Sequence, residues 1–289
     1  MHPARVTGRA PRDDEIDVYG LTHPGLVRKV NQDHFLICSL KKQVQVHLTS
    51  LPNPAALAND TSRLAFVAMV ADGVGGGQKG EDASRIAVET ITNYLTEAVR
   101  TYNTADTSDH GGFTTILEEG ALRCHADIVR QAEADPDRTG MATTLTLWIG
   151  IWPYGYLLQV GDSRCYVLHA GELIQLSRDQ TMAQELMDQG VLSRTEAGQS
   201  RFAHVLSSSI GGRQTAPLVT RMEQAWDQPG LLCSDGLTKH VSDERIREVL
   251  AGMTSSRQAC EQLLQEALDG GGSDNITIVI GRATRKGDA

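Results

Sequence analysis

Apolar positions along this chain change period in blocks. The first block holds runs of strand length at residues 17–22, 35–40, 44–48 and 64–71, alternating or continuously apolar. Residues 51–62, with Pro52, Pro54 and Asn59-Asp60, read as a loop between two of these strands. The period then turns helical. Ala83, Ala87, Ile91, Tyr94, Leu95 and Ala98 share one face, and Leu117, Ala121, Cys124, Ile128 and Ala132 share another. The polar, glycine-containing stretch 103–112 joins these two helices. Short strands resume at 143–151, 156–160, 165–169 and 173–176, with Ala170-Gly171 as a tight turn. Residues 180–212 are polar and amphipathic, a surface excursion with two short helices. Strands follow at 218–223 and 230–234, then two helices, the second with Cys260, Leu263, Leu264, Ala267 and Leu268 on one face. Residues 275–281 form a last buried strand.

Strands and helices therefore come in blocks rather than in strict alternation, which argues against a doubly wound parallel sheet. The order predicts an α+β fold, a four-layer α-β-β-α sandwich in which two antiparallel sheets are flanked by helix pairs. No repeat or linker divides the chain, so one domain is expected over residues 16–282, between a frayed arm (1–15) and a short tail (283–289).

Composition narrows the function. With 27 basic and 36 acidic residues the net charge is −9, which disfavours nucleic acid or an anionic membrane as a partner. No apolar run reaches the roughly 18 residues of a membrane helix, and the N-terminus lacks the apolar core of a signal peptide. Cys38, Cys124, Cys165, Cys233 and Cys260 are odd in number and include no C-x-x-C pair, so they read as reduced core thiols of a cytoplasmic protein.

Five aspartate motifs carry the chemistry: R-K-V-N-Q-D ending at Asp33, A-D-G-V-G-G-G with Asp72, G-D-S-R with Asp162, S-D-G-L with Asp235 and G-S-D-N-I-T with Asp274. Asp-Gly alone is mostly a turn signal. Here each motif leaves or meets an apolar run. If Asp33, Asp72, Asp235 and Asp274 converge, their charges require compensation, and divalent cations supply it. All-oxygen ligation without His or Cys clusters points to Mg²⁺, Mn²⁺ or Ca²⁺ rather than Zn²⁺. Two bridged cations suit hydrolysis of a phosphoester, and Arg28 has the planar fork to hold two phosphate oxygens.

With these motifs in this order, the sequence resembles the metal-dependent protein serine/threonine phosphatases of the PPM, or protein phosphatase 2C, family in their bacterial form, over about residues 17–281. The resemblance implies the same sandwich and two Mn²⁺ or Mg²⁺ ions. It also implies hydrolysis of phosphoserine or phosphothreonine by attack of a metal-bridging water. By the same resemblance Asp72 bridges the metals and the Gly73 carbonyl completes one shell. Asp235 and Asp274 hold the second metal, Asp33 acts at the same centre, and Arg28 clamps the phosphate. Asp162 corresponds to the contact for a third, weaker metal, and residues 181–212 to a mobile flap. The implied partners are phosphorylated proteins, substrates of a bacterial serine/threonine kinase.

The sequence also departs from the family. Lys239 stands where many relatives have a third-metal Asp, and it could pair with Asp162 instead. Val74 stands where some eukaryotic relatives carry a His acid, leaving His34 as a candidate proton donor. For Asp162 an ion pair with Arg164, closing a hairpin, is the competing reading. Two functional alternatives remain, a catalytically silent regulatory module on the same fold and a hydrolase of small phosphoesters.

Overall fold

The computed structural model describes residues 9–41, 44–50, 63–75, 78–104 and 110–286. Among the described residues twelve strands form two antiparallel sheets. In the larger sheet the order is β10 (Leu218–Glu223), β7 (Tyr154–Val160), β6 (Leu145–Ile151), β4 (Ala65–Val74), β2 (Asp33–Leu40) and β3 (Val44–Thr49), with the two-residue β5 (Ala142–Thr143) beside the end of β4. In the smaller sheet it is β1 (Ile16–His23), β12 (Ile276–Ala283), β11 (Gly230–Cys233), β8 (Arg164–His169) and β9 (Glu172–Gln175).

Helices α1 (Gln78–Thr104) and α2 (His110–Ala134) cover the outer face of the larger sheet, and α6 (Asp243–Gly252) and α7 (Ser256–Asp269) that of the smaller. The four layers are those expected from the block pattern. Three apolar clusters fill the spaces between them. One lies under α1 and α2 around Leu36, Met69, Ile91 and Leu117, and one under α6 and α7 around Leu231, Leu250, Leu263 and Ile278. The third lies between the sheets around Phe35, Ile37, Val70 and Leu157. Because both faces of β2 are covered, all eight of its residues are buried, so its sequence runs apolar rather than alternating.

Helix α7 shows the local logic. The Ser255 hydroxyl accepts from the Gln258 N–H at its start, a cap worth about 1 kcal/mol. Ala259, Cys260, Leu263 and Ala267 then recur at helical spacing and are buried. The five cysteines are free and buried, as read from their apolar surroundings.

Differences from the sequence reading are local. The expected strand 143–151 is broken at Thr144, whose N–H donates to the Asp72 carbonyl (2.9 Å) instead of continuing a regular ladder. A single helical turn, α5 (Asp235–Thr238), follows β11 directly. The expected loop 51–62 lies outside the described residues, as do residues 105–109 between α1 and α2. Residues 9–15, assigned to the frayed arm, are tied down: buried Glu15 accepts two 2.6 Å bonds from Arg9, and its carbonyl receives the Thr284 N–H at 2.8 Å. The excursion at 180–212 does hold two short helices, α3 (Met182–Asp188) and α4 (Arg194–Gln199). It is fastened by bridges from Thr181 to Leu206 and from Thr143 to Ile210. Among the described residues no helix is long and apolar enough to cross a membrane.

Candidate metal centre

The five aspartate motifs meet at one end of the sandwich. Asp33 opens β2 and Asp72 lies near the end of β4, and the two face each other as antiparallel partners. Asp235 follows β11, Asp274 precedes β12 and Asp162 follows β7. Hydroxyls join the motifs. Asp33 Oδ2 accepts from Ser234 Oγ (2.8 Å) and Thr277 Oγ1 (2.7 Å), side chains borne by two other motifs. Its Oδ1 is buried with no hydrogen-bond partner.

Backbone contacts fix Asp72. Its N–H donates to Thr144 Oγ1 (3.0 Å), and its carbonyl accepts from Thr143 Oγ1 (2.8 Å). The Thr144 hydroxyl in turn meets Ser163 Oγ at 2.8 Å, next to Asp162. Gly73 is confined: a Cβ there would collide with the carbonyl oxygen of Gly80 and crowd that of Gln32, so no larger residue fits. Asn275 staples the loop carrying Arg28. Its amide donates to the carbonyls of Pro24 and Val30 (3.0 Å each), and its Oδ1 accepts from the Gln32 N–H at 2.9 Å.

Electrostatics follow from this crowding. Burial pushes the Asp33 carboxyl up to about 6, against the two hydroxyl bonds that lower it. Burial, with the charges of Asp235 and Asp179, pushes Asp162 up to about 7. Asp72 is raised well above the ordinary carboxylate range, by burial first and then by Asp33, Asp235, Asp162 and Asp274. Burial would raise Asp274 too, but Arg28 and Lys239 hold it below its usual value.

Two cations reach into the cluster. Arg28 is bidentate on Asp274, with Nε 2.8 Å from Oδ1 and Nη2 2.9 Å from Oδ2, while half its side chain stays exposed. Lys239 Nζ lies 2.7 Å from Asp235 Oδ2 and 2.8 Å from Asp274 Oδ2. The expected pairing of Lys239 with Asp162 is thus corrected. Asp235 and Lys239 are four residues apart around one helical turn, which aligns their side chains. Nor does Arg164 pair with Asp162: its guanidinium is bidentate on Asp179, the shortest contact being 2.7 Å. His34 faces away from the cluster, because neighbouring strand residues point to opposite faces. Its Nδ1 meets Ser84 Oγ of α1 at 3.0 Å, and burial lowers its pKa to about 4, so it is neutral and badly placed as a proton donor.

The sequence reading missed His204. The flap returns it over the cluster, with Nδ1 3.7 Å from Asp235 Oδ2. Asp162, His204 and Asp235 each offer a ligand atom within 4.8 Å of the others. No sequence spacing signals this, because 30 residues lie between His204 and Asp235. Ser234, Thr277 and Asn275 did have a signal, since each stands inside a quoted motif.

Comparison with known proteins fits this geometry. Residues 49–270 match the family model described as Protein phosphatase 2C. The chain belongs to the protein phosphatase 2C family. That match spans Asp72, Asp162 and Asp235, while Arg28, Asp33 and Asp274 lie just outside it. The chain is 34% identical over 212 residues to the serine/threonine protein phosphatase PstP of Mycobacterium tuberculosis, covering 73% of this chain and 39% of that one. It therefore spans about two-fifths of the length of that relative. It is 30% identical over 216 residues to the serine/threonine phosphatase stp of Listeria welshimeri, covering 74% and 83%. The PstP catalytic domain solved with two manganese ions is 29% identical, with a TM-score of 0.69 over 93% of this chain and 99% of that one.

The residues of this protein phosphatase 2C member fit divalent ions. Apart from His204 the donors are oxygens, one buried carboxylate oxygen of Asp33 lacks a partner, and the cluster holds more negative charge than Arg28 and Lys239 can offset.

Proposed function

We propose that this chain is a Mn²⁺- or Mg²⁺-dependent protein serine/threonine phosphatase, hydrolysing phosphoserine and phosphothreonine in proteins phosphorylated by a bacterial serine/threonine kinase. The observation that carries this reading is the convergence of Asp33, Asp72, Asp235 and Asp274 on one buried-to-open rim, where their carboxylates cannot all ionise without cations. Asp72 and the Gly73 carbonyl, with Asp235, Asp274 and Asp33, are the groups that would hold two ions, and Asp162 is the group for a third. When bound, such ions supply an activated water and neutralise charge on the phosphoryl group.

The chain's own groups do the rest. Ser234 and Thr277 hold Asp33 in one orientation, so its unpartnered oxygen faces a fixed direction. Thr143 and Thr144 fix the Asp72 backbone, which limits reorganisation during reaction. Arg28 can exchange its bidentate grip on Asp274 for two phosphate oxygens, since it is exposed and sits on a loop stapled by Asn275. The free, buried cysteines support a reducing, cytoplasmic setting.

The test is phosphate release from a phosphothreonine peptide, compared with small phosphometabolites. Turnover should need added Mn²⁺, vanish in EDTA and favour the peptide. Asp72→Asn should lower it by several orders of magnitude while leaving the circular dichroism spectrum intact. Undiminished turnover in EDTA would refute the reading.

A further inference from the structure

At the end of the sandwich away from the aspartates the two sheets part. A cavity of about 540 Å³ opens between them, walled by Phe66, Ala68 and Trp148 of the larger sheet and by Val18, Leu232 and Val279 of the smaller. That is the size of a small-molecule site, which runs to about 300–1,000 Å³. None of the aspartates of the metal centre lines it.

The sequence explains why the gap exists. Ala68 on β4 and Gly230 at the start of β11 are small, whereas nearer Asp72 the same intersheet layer is filled by Val70 and its strand partner Phe35. A Cβ added at Gly230 would meet nothing closer than 3.8 Å. Phe66 and Trp148 are accordingly only partly buried, though they face the intersheet layer. An apolar chain entering this opening would be removed from water against the Phe66, Trp148, Leu232 and Val279 side chains.

The rim has the opposite character. Arg63 and Arg282 line it. Arg63 is held by Asp13 (2.8 Å) and the Pro11 carbonyl, and Arg282 by Asp17 (3.3 Å) and the Thr254 carbonyl (2.8 Å). Arg9 and Arg285 lie over the Trp226 ring at 5.6 and 5.1 Å, and Trp226 packs on Trp152 of the cavity wall. The Trp226 indole N–H is buried with no acceptor. Arg9, Arg63, Arg282 and Arg285 thus gather at this opening, the first three paired with Glu15, Asp13 and Asp17.

We propose that this cavity binds a long-chain carboxylate, its alkyl chain between the sheets and its head group among the arginines of the rim. The wall supplies hydrophobic burial over the chain's length. Arg63 and Arg282 supply charge-assisted hydrogen bonds to the head by exchanging their contacts with Asp13 and Asp17 for it. The site is separate from the metal centre and does not depend on the proposed phosphatase activity.

The protein carries its own reporter. Its three tryptophans all lie here, Trp148 and Trp152 in the wall and Trp226 against Trp152. Titrating the full chain with dodecanoate below its micelle concentration should change tryptophan emission saturably, with one molecule bound, and should raise the unfolding temperature. Ala68→Phe projects a ring from β4 into the cavity and should weaken binding at least about tenfold while Mn²⁺-dependent turnover is kept. Should Ala68→Phe not fold, Gly230→Val is titrated against the same criterion. Arg282→Gln should weaken dodecanoate but leave dodecanol unchanged. A non-saturating emission change, wild-type binding by the folded cavity-filling variant, or equal affinity for dodecanol and dodecanoate would each overturn the proposal.

Discussion

Replacing Lys239 by methionine should make the metal-free protein less stable and the metal-loaded protein tighter. In the metal-free state Lys239 offsets Asp235 and Asp274 through contacts of 2.7 and 2.8 Å, with 22% of its side chain exposed. Fully exposed pairs of this kind contribute about 0–1 kcal/mol, and breaking a buried one costs about 3–5 kcal/mol. A part-buried ammonium shared by two carboxylates falls between, at about 2 kcal/mol. For a domain of this size that lowers the unfolding temperature by about 3–4 °C in EDTA. A divalent ion binding Asp235 and Asp274 has to displace or compete with the same ammonium. Without it, the Mn²⁺ concentration for half-saturation should fall by about 10–30-fold. Differential scanning fluorimetry with and without EDTA measures the first effect, and isothermal titration with Mn²⁺ measures the second. Unchanged stability in EDTA together with an unchanged Mn²⁺ midpoint would refute the competition. Weaker Mn²⁺ binding by Lys239→Met would show that Lys239 supports the ions instead.

Asp33 and Asp162, raised to about 6 and about 7, bind protons more tightly folded than unfolded. Their contribution to metal-free stability is therefore complete below about pH 4 and is lost as pH rises through 6 to 7. Unfolding temperatures in EDTA should decline across that window, and Mn²⁺ should abolish the decline. Thr277→Val removes one of the two hydroxyls on Asp33 and should weaken Mn²⁺ binding by about tenfold, read by calorimetry. Asn275→Ala removes three hydrogen bonds to the Arg28 loop and should raise KM for a phosphopeptide more than it lowers kcat. Leu263→Ala, in the core under α7, should cost about 2–5 kcal/mol in urea unfolding without changing metal binding.

The layer order was readable because continuous apolar strands and amphipathic helices came in separate blocks, and the aspartates were readable because each interrupted such a pattern. Lys239 could have been placed by helical spacing from Asp235, but the turn that aligns them is only four residues long and leaves no periodic trace. His34 illustrates the period-two rule, since standing next to Asp33 on a strand guarantees the opposite face. His204 was out of reach, since its place over Asp235 depends on the path of the flap. The anchoring of residues 9–15 was likewise hidden, because Glu15 is buried only by meeting Arg9 and the strand end near Thr284.

The bridges that fasten the flap divide labour within it. Thr181 and Leu206 close the span containing α3 and α4 into a self-contained cassette, while Ile210 clasps Thr143, whose hydroxyl grips the Asp72 carbonyl. Exchange of sequence inside the cassette, His204 excepted, leaves the grip on Asp72 in place, because that grip lies outside the Thr181–Leu206 bridge. Force on the clasp at Ile210, by contrast, passes directly to Asp72.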